Sequence, residues 1–365
     1  MIDQEAMVFF KKLVESISPS GFEEEAVSLW KERTGAFIKK MYCDVHGNCT
    51  GIIANGKFPK IMLAGHIDEI GYMVNYIDEE GFIYFSAIGG IDPHLIPGQR
   101  VWIKTKKGKI LGVIGRKPIH LIKELERKKV AGIDQMWIDI GSQSFEQTKE
   151  IVEIGDVAVS AVGFEMLNND KLIGRDFDDK AGAFVVSQVL KELAQAESCA
   201  SVYGVATVQE EIGLRGAITS AYEISPDIGI AIDMTFATDF PGMDKKKIGD
   251  IKIGAGPVIA RGPNINHYVF EMLINTAKED NIPYQVEGIA HSTGTDANVI
   301  QLTKSGVATG LVSIPLRYMH TSVELISLSD VENTIKLIKA FILRMNKDNK
   351  LLDFLQKNSS QYKNN

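Results

Sequence analysis

The chain opens with helical periodicity: Phe9, Leu13 and Val14 recur on one face of the first segment, and SPSGFEEEAVSLW follows with Ser20 three residues ahead of Glu23. That spacing predicts a capping box at the start of a second helix. Two β-type runs come next, FIKKMYCDVHGNCTGIIANG and KIMLAGHIDEIGYMV. The second is apolar enough for a buried central strand, and His66 stands at its end. Between Glu69 and Val162 the pattern shortens to strands broken by glycine and proline, as in GFIYFSAIGG, RVWIKTKKGKILGVIG, MWIDIG and GDVAVSA, with one short helical stretch, LIKELERKK. Regular short strands with turn signals predict a small β-barrel or sandwich.

From Asp178 onward helix and strand alternate through KAGAFVVSQVLKELAQ, SVYGVATVQ, DIGIAIDM, HYVFEMLINTAKEDN, ATGLVSIP and DVENTIKLIKAFILRM. Such alternation argues for an α/β fold, a sheet flanked by helices. The expected organisation is one discontinuous domain, residues 1–68 and 163–346, carrying an inserted β-barrel at 69–162. The polar tail, 347–365, is expected to fray.

Composition narrows the function classes. A net charge of −7 and 45% hydrophobic residues over 365 positions support a full core and leave no basic footprint for nucleic acid. The acidic start MIDQEAMVFFKKLVE has neither a signal-type apolar core nor a membrane span, so a cytoplasmic protein is expected. Cys43, Cys49 and Cys199 are odd in number and form no CxxC pair, which predicts structural thiols rather than a disulfide framework.

The candidate chemistry lies at the ends of the apolar runs. His66 and Asp68 close IMLAGHID, Glu210 and Glu211 follow SVYGVATVQ, Asp233 ends IGIAID, and His320 follows PLRYM. Asp178 and Asp179 precede the helix KAGAFVVSQVLKEL. Sites of open α/β sheets gather at the carboxyl ends of strands. One acid at such an end means little, but this set suits two divalent ions. Asp178, Glu211, Asp233 and a hydroxide balance four positive charges, and His66 and His320 serve as neutral ligands. Imidazole and carboxylate donors suit zinc, cobalt or manganese. The competing role for Asp178 is a helix N-cap, and for Asp68 a turn acid.

These residues resemble a known family, the co-catalytic metallo-aminopeptidases that form tetrahedral particles, including glutamyl and deblocking aminopeptidases and members labelled cellulase M. The likeness runs through SPSGFE, GHIDEIGYMV, AIGGIDPHLIPGQRV, FDDKAG, VQEEIGLRGA, IDMTFATDFPG, ARGPNIN, GTDAN and PLRYMHTSVE. It implies a zinc-exopeptidase-like mixed sheet with a dimerising barrel, and a dodecamer built from dimers that admits short peptides to an inner chamber. It implies that Asp178 bridges two ions, with His66 and Asp233 completing one site and Glu211 and His320 the other. Glu210 would be the general base, acting on a metal-bridged hydroxide. Asp68 would hydrogen-bond the ring of His66. The resemblance also suggests a strained or cis peptide between Asp178 and Asp179. Phe236 stands where many members carry histidine, a difference that touches substrate preference.

Three rival readings remain: a metal-dependent deacylase or carboxypeptidase, a glycoside hydrolase relying on two carboxylates alone, and a non-catalytic assembly protein. His46, His94, His120 and His267 read as surface or satisfied histidines, while His291 lies in the family's GTDAN loop. Arg317 reads as an ion-pair residue, and Lys245, Lys246 and Lys247 as a solvated run.

Overall fold

The computed structural model describes residues 2–361 apart from 55–57, 125–126, 197–199 and 347–349. An eight-stranded mixed sheet organises the larger part. Its strand order is Lys40–Cys43, Cys49–Ala54, Ser201–Thr207, Lys60–His66, Ile228–Phe236, Ala308–Leu316, Val258–Arg261 and Gln285–Gly288. The four central strands, those beginning at Ser201, Lys60, Ile228 and Ala308, run parallel. All their carboxyl ends therefore meet on one side of the sheet. These strands are apolar at nearly every position because helices cover both faces.

Alternation along the strands sorts the core into two layers. Ile61, Leu63, Val202, Ile230 and Ile232 pack with the helices Gln4–Glu15, Phe177–Leu193, His267–Glu279 and Leu328–Leu343. Met62, Ala64 and Val205 point the other way, onto Ala217 and Ala221 of the helix Arg215–Ile224. The first helix buries Phe9, Leu13 and Val14 as its periodicity predicts.

A closed six-stranded barrel holds its own core, with Tyr72, Val74, Ile83, Phe85, Val101, Ile103, Ile114 and Ile138 inside. Its strands run in the order Gly71–Ile77, Ile83–Ile88, Met136–Asp139, Gly108–Arg116, Arg100–Thr105 and Val157–Ser160. The chain thus leaves the main sheet just after His66, builds the barrel, and returns to the main sheet's helices at Phe177. A third, three-stranded sheet joins Glu165–Met166, Lys171–Gly174 and Glu324–Ser327. Among the described residues no helix is long and apolar enough to cross a membrane.

Two local expectations change, a third falls partly outside the described residues, and Cys43 and Cys49 are free thiols as expected. Ser20 does not cap: the helix Glu24–Gly35 begins after Glu23 without a side-chain cap, because the Ser20 hydroxyl donates instead to the buried Asp68 carboxylate at 2.6 Å. The tail is not frayed throughout, since Lys350–Gln361 is helical, Leu351 is buried and Phe354 stacks on Tyr268 with ring centroids 4.8 Å apart. Of the helix expected at 121–129, residues 125–126 lie outside the described residues, and the turn Ile119–Leu121 precedes them. Cys43 and Cys49 sit opposite each other in an antiparallel pair as free thiols; Cys199 lies outside the described residues.

The close seating of the helix Phe177–Leu193 on the His66 strand rests on Gly65. A Cβ there would lie 2.5 Å from the Gly182 carbonyl carbon and 2.6 Å from the Ala183 nitrogen. Both are backbone atoms that cannot swing aside. Gly65→Ala should therefore lift the helix, cost about 1–3 kcal/mol from overpacking, and separate Asp178 from His66. Urea unfolding together with a metal titration would check this; unchanged midpoint and unchanged metal affinity would show that the contact is not limiting.

Candidate metal centre

The parallel strands deliver the candidate residues to one space. His66 is the last residue of its strand, and Glu210 and Glu211 follow the adjacent strand Ser201–Thr207. Asp233 lies inside Ile228–Phe236, which runs three residues past it. His320 comes shortly after the strand Ala308–Leu316. Asp178 enters from the helix side. His66 Nε2 is 3.3 Å from Asp178 Oδ1 and 3.9 Å from both Asp233 Oδ1 and Glu210 Oε2. On the far side of Asp178, His320 Nε2 is 3.5 Å from Asp178 Oδ2 and 3.2 Å from Glu211 Oε1.

Each of these side chains is aimed by hydrogen bonds that the strand pattern does not announce. Asp68, fully buried, accepts the Glu210 N–H at 3.0 Å on Oδ1 and the Glu211 N–H at 3.1 Å on Oδ2. Its Oδ1 is 3.5 Å from His66 Nδ1, while its main-chain carbonyl oxygen is nearer, at 3.2 Å. One carboxylate thus ties the His66 strand to both glutamates. Asp179 accepts the Gly182 N–H at 2.9 Å and the His66 N–H at 3.1 Å. It therefore caps the helix, and Asp178 turns toward the histidines. The peptide joining the two aspartates is cis.

Sequence reasoning passed over Glu324, which is buried and accepts the N–H groups of both Asp178 and His320 at 3.1 Å. Its signal was present, as the acid ending MHTSVE. Asp296 was also missed; it is buried and accepts the Thr207 hydroxyl at 2.6 Å. Five residues in these loops, Asp176, Gln209, Leu214, Tyr318 and His320, take left-handed conformations without being glycine. Such backbone settings persist only where surrounding contacts over-determine them.

Electrostatics tell the same story of crowding. Burial, with the charges of Asp233, Asp296 and Glu211, pushes Glu210 up to about 10 against the pull of His66. Burial and Asp178 likewise raise Asp233 well above the carboxylate range, and burial raises Glu211. Asp178 stays low despite burial because His320 and His66 both contact it. His320 itself climbs to about 11, its own burial being outweighed by Asp178 and Glu211. A bound cation would favour the ionised form of each of these carboxylates.

One layer behind lies a buried network. Lys180 Nζ is 2.9 Å from Glu69 and donates to the Ser16 carbonyl at 2.8 Å, while Arg175 Nε reaches Asp176 at 2.8 Å and Glu69 at 3.2 Å. Lys180 and Arg175 hold Glu69 down to about 2 against its burial. Burial and the Glu69 charge instead raise Asp176. Two cations and two carboxylates are thus paired in one buried network.

The donor set fits divalent metal ions. Among the described residues, ligand atoms converge within 4.8 Å as His66, Asp178 and Asp233, as Asp178, Glu211 and His320, and as His66, Glu210 and Glu211. Asp178 Oδ1 is buried without any hydrogen-bond donor, an oxygen left open for a cation.

The other histidines stay apart from this cluster. His94, His120, His267 and His291 are exposed, and His267 pairs with Glu271 at 3.1 Å. Arg317 forms a two-pronged pair with Asp239, both contacts at 2.8 Å, as its ion-pair reading expects. Phe236 is exposed at the end of its strand.

Residues 47–337 match the M42 glutamyl aminopeptidase family. A lysyl aminopeptidase of Pyrococcus furiosus is 39% identical over 94% of this chain and 97% of its own length. A TET aminopeptidase from a marine-sediment Thaumarchaeota archaeon superposes with a TM-score of 0.92 at 35% identity, covering 96% of this chain and 99% of that one. The Pyrococcus horikoshii TET1 peptidase, described as assembling into a tetrahedron or a large octahedral shell, superposes with a TM-score of 0.84 at 31% identity over 93% and 99% of the two chains. A chain that matches from end to end in both sequence and fold belongs to the M42 glutamyl aminopeptidase family, and it is a metallo-aminopeptidase.

Proposed function

We propose that the chain removes N-terminal residues from short peptides with a pair of divalent ions, zinc, cobalt or manganese. The observation carrying this reading is that Asp178 belongs to two ligand groups at once, one with His66 and Asp233 and the other with Glu211 and His320. A carboxylate with one oxygen turned to each histidine suits a bridge between two ions. When bound, the ions supply Lewis acidity, polarising the scissile carbonyl and acidifying water.

The chain's own residues do the rest. Glu210 is held by its backbone bond to Asp68, with its carboxylate 3.9 Å from His66 Nε2. It takes the proton of the attacking water and returns it to the leaving amine. Asp68 sets the backbone of both glutamates, so that base and ligand move as one unit. Glu324 ties the Asp178 and His320 backbones together and keeps the second ligand group in register with the first.

The dodecamer proposed here is built from dimers joined through the barrel. Exposed apolar side chains at Leu111, Val113, Ile119 and Leu121 support that face as a contact, as does the shell assembly described for the Pyrococcus horikoshii protein. An inner chamber of such a particle admits short or unfolded peptides.

Purified protein should cleave aminoacyl anilides with free amino groups, lose that activity on chelation, and regain it with zinc, cobalt or manganese, while N-blocked anilides stay intact. Cleavage of blocked substrates would mark a deacylase instead. Glu210→Gln should lower kcat by about 10²–10⁴-fold with metal content and assembly unchanged; a variant of native activity removes Glu210 from the role of base. Sedimentation should find a dodecamer, and a stable monomer at micromolar concentration would overturn the assembly.

A further inference from the structure

The hairpin formed by Lys40–Cys43 and Cys49–Ala54 carries two thiols that the metal centre does not use. Cys43 and Cys49 are direct partners in this antiparallel pair, the last pair before the turn. Just beyond them the Asp44 N–H donates to the Asn48 carbonyl at 3.0 Å. Asp44 and Asn48 therefore occupy the hydrogen-bonded position, and the cysteines beside them the non-hydrogen-bonded one. Side chains approach most closely there, with Cα atoms about 4.5 Å apart, inside the roughly 4.4–6.8 Å that a disulfide spans. The two Sγ atoms are in contact, 2.8 Å apart.

The turn between them is tied down. Asp44 Oδ1 accepts the N–H groups of Gly47 at 2.9 Å and Asn48 at 3.0 Å. The Asn48 side-chain amide donates to Asp44 at 2.7 Å and to the Thr219 hydroxyl at 2.9 Å, while its oxygen accepts the Val208 N–H at 3.1 Å. The thiols are thus held opposite each other by bonds that do not involve them. Solvent reaches them unequally: Cys43 is exposed and Cys49 is buried. Burial, and next the hydrogen bond with Cys43, pushes the Cys49 thiol up, which leaves it unreactive toward dissolved reagents. The exposed partner is the one that a reagent meets first.

We propose that Cys43 and Cys49 are a reversible thiol–disulfide site, oxidised by low-molecular-weight disulfides of the glutathione type. The Cys43 thiolate attacks one sulfur of the small disulfide, whose S–S bond breaks; one small thiolate leaves and a mixed disulfide remains on Cys43. Cys49 then gives up its proton to solvent and attacks Cys43 Sγ, expelling the second small thiolate. Two protein thiols are oxidised to one disulfide, one small disulfide is reduced to two thiols, and the protons lost by the protein thiols go to the thiolates released. The new bond staples the hairpin one residue from Asn48, whose side chain holds Val208, two residues ahead of Glu210.

The test incubates the native, assembled protein with glutathione disulfide, then unfolds it in iodoacetamide and digests it with trypsin. The peptide 41–57 contains both cysteines and excludes Cys199. Most of it should escape alkylation and weigh two hydrogens less than the reduced peptide, and dithiothreitol should restore both alkylation sites. Cys49→Ser should accumulate glutathione on Cys43, whereas Cys43→Ser should take up none while folded. The oxidised protein should also unfold at a higher urea midpoint than the reduced one, because the closed loop restricts the unfolded chain. Full alkylation of both cysteines after the incubation, or a glutathione adduct that persists on Cys43 of the native protein, would overturn the site. Glutathione on Cys49 of Cys43→Ser would reverse the order of attack, and a lowered urea midpoint would show that the hairpin does not accept the bond.

Discussion

Like-charge crowding is the constraint on which this molecule is built. Asp178, Glu210, Glu211 and Asp233 share one space with two imidazoles, and burial with mutual repulsion raises the pKa of three of the four carboxylates. Such a cluster is held only if the surrounding backbone opposes its dispersal. Much of the local architecture does that. Asp68 grips two backbone N–H groups, Glu324 grips two more, and Asp179 ties the helix start to the His66 strand. The repulsion stored in this way becomes affinity for divalent cations.

The arrangement divides labour between acids that face the histidines and acids that face the backbone. Sequence places both kinds side by side, as Asp178 with Asp179, and the structure separates them by geometry. Asp178 turns to the histidines while its neighbour caps a helix. The Lys180 and Arg175 layer pairs with Glu69 and Asp176 without itself entering the cluster. Neutral packing there would leave Glu69 and Asp176 buried without partners, a loss of about 3–5 kcal/mol for such a pair.

Much of this was legible in the chain. Continuous apolar runs announced the central strands, their ends announced His66, Glu210, Glu211 and Asp233, and the glycine-punctuated stretch announced the barrel. What escaped were choices among hydrogen-bond partners. Ser20 and Glu23 have capping-box spacing, yet a buried Asp68 offers Ser20 a stronger acceptor than a solvated helix end. Glu324 and Asp296 look like ordinary loop acids until tertiary contacts bring Asp178, His320 and Thr207 to them. The tail's polarity masked Leu351 and Phe354, which are enough to seat a helix against Tyr268.

The barrel's place in the chain has a kinetic consequence. It separates His66 from Asp178, and His320 comes later still, so the contacts that define the centre are among the most distant in sequence. Loop closure of that span must precede any contact among the ligands. A cation captured there would stabilise the fold that has brought those distant segments together.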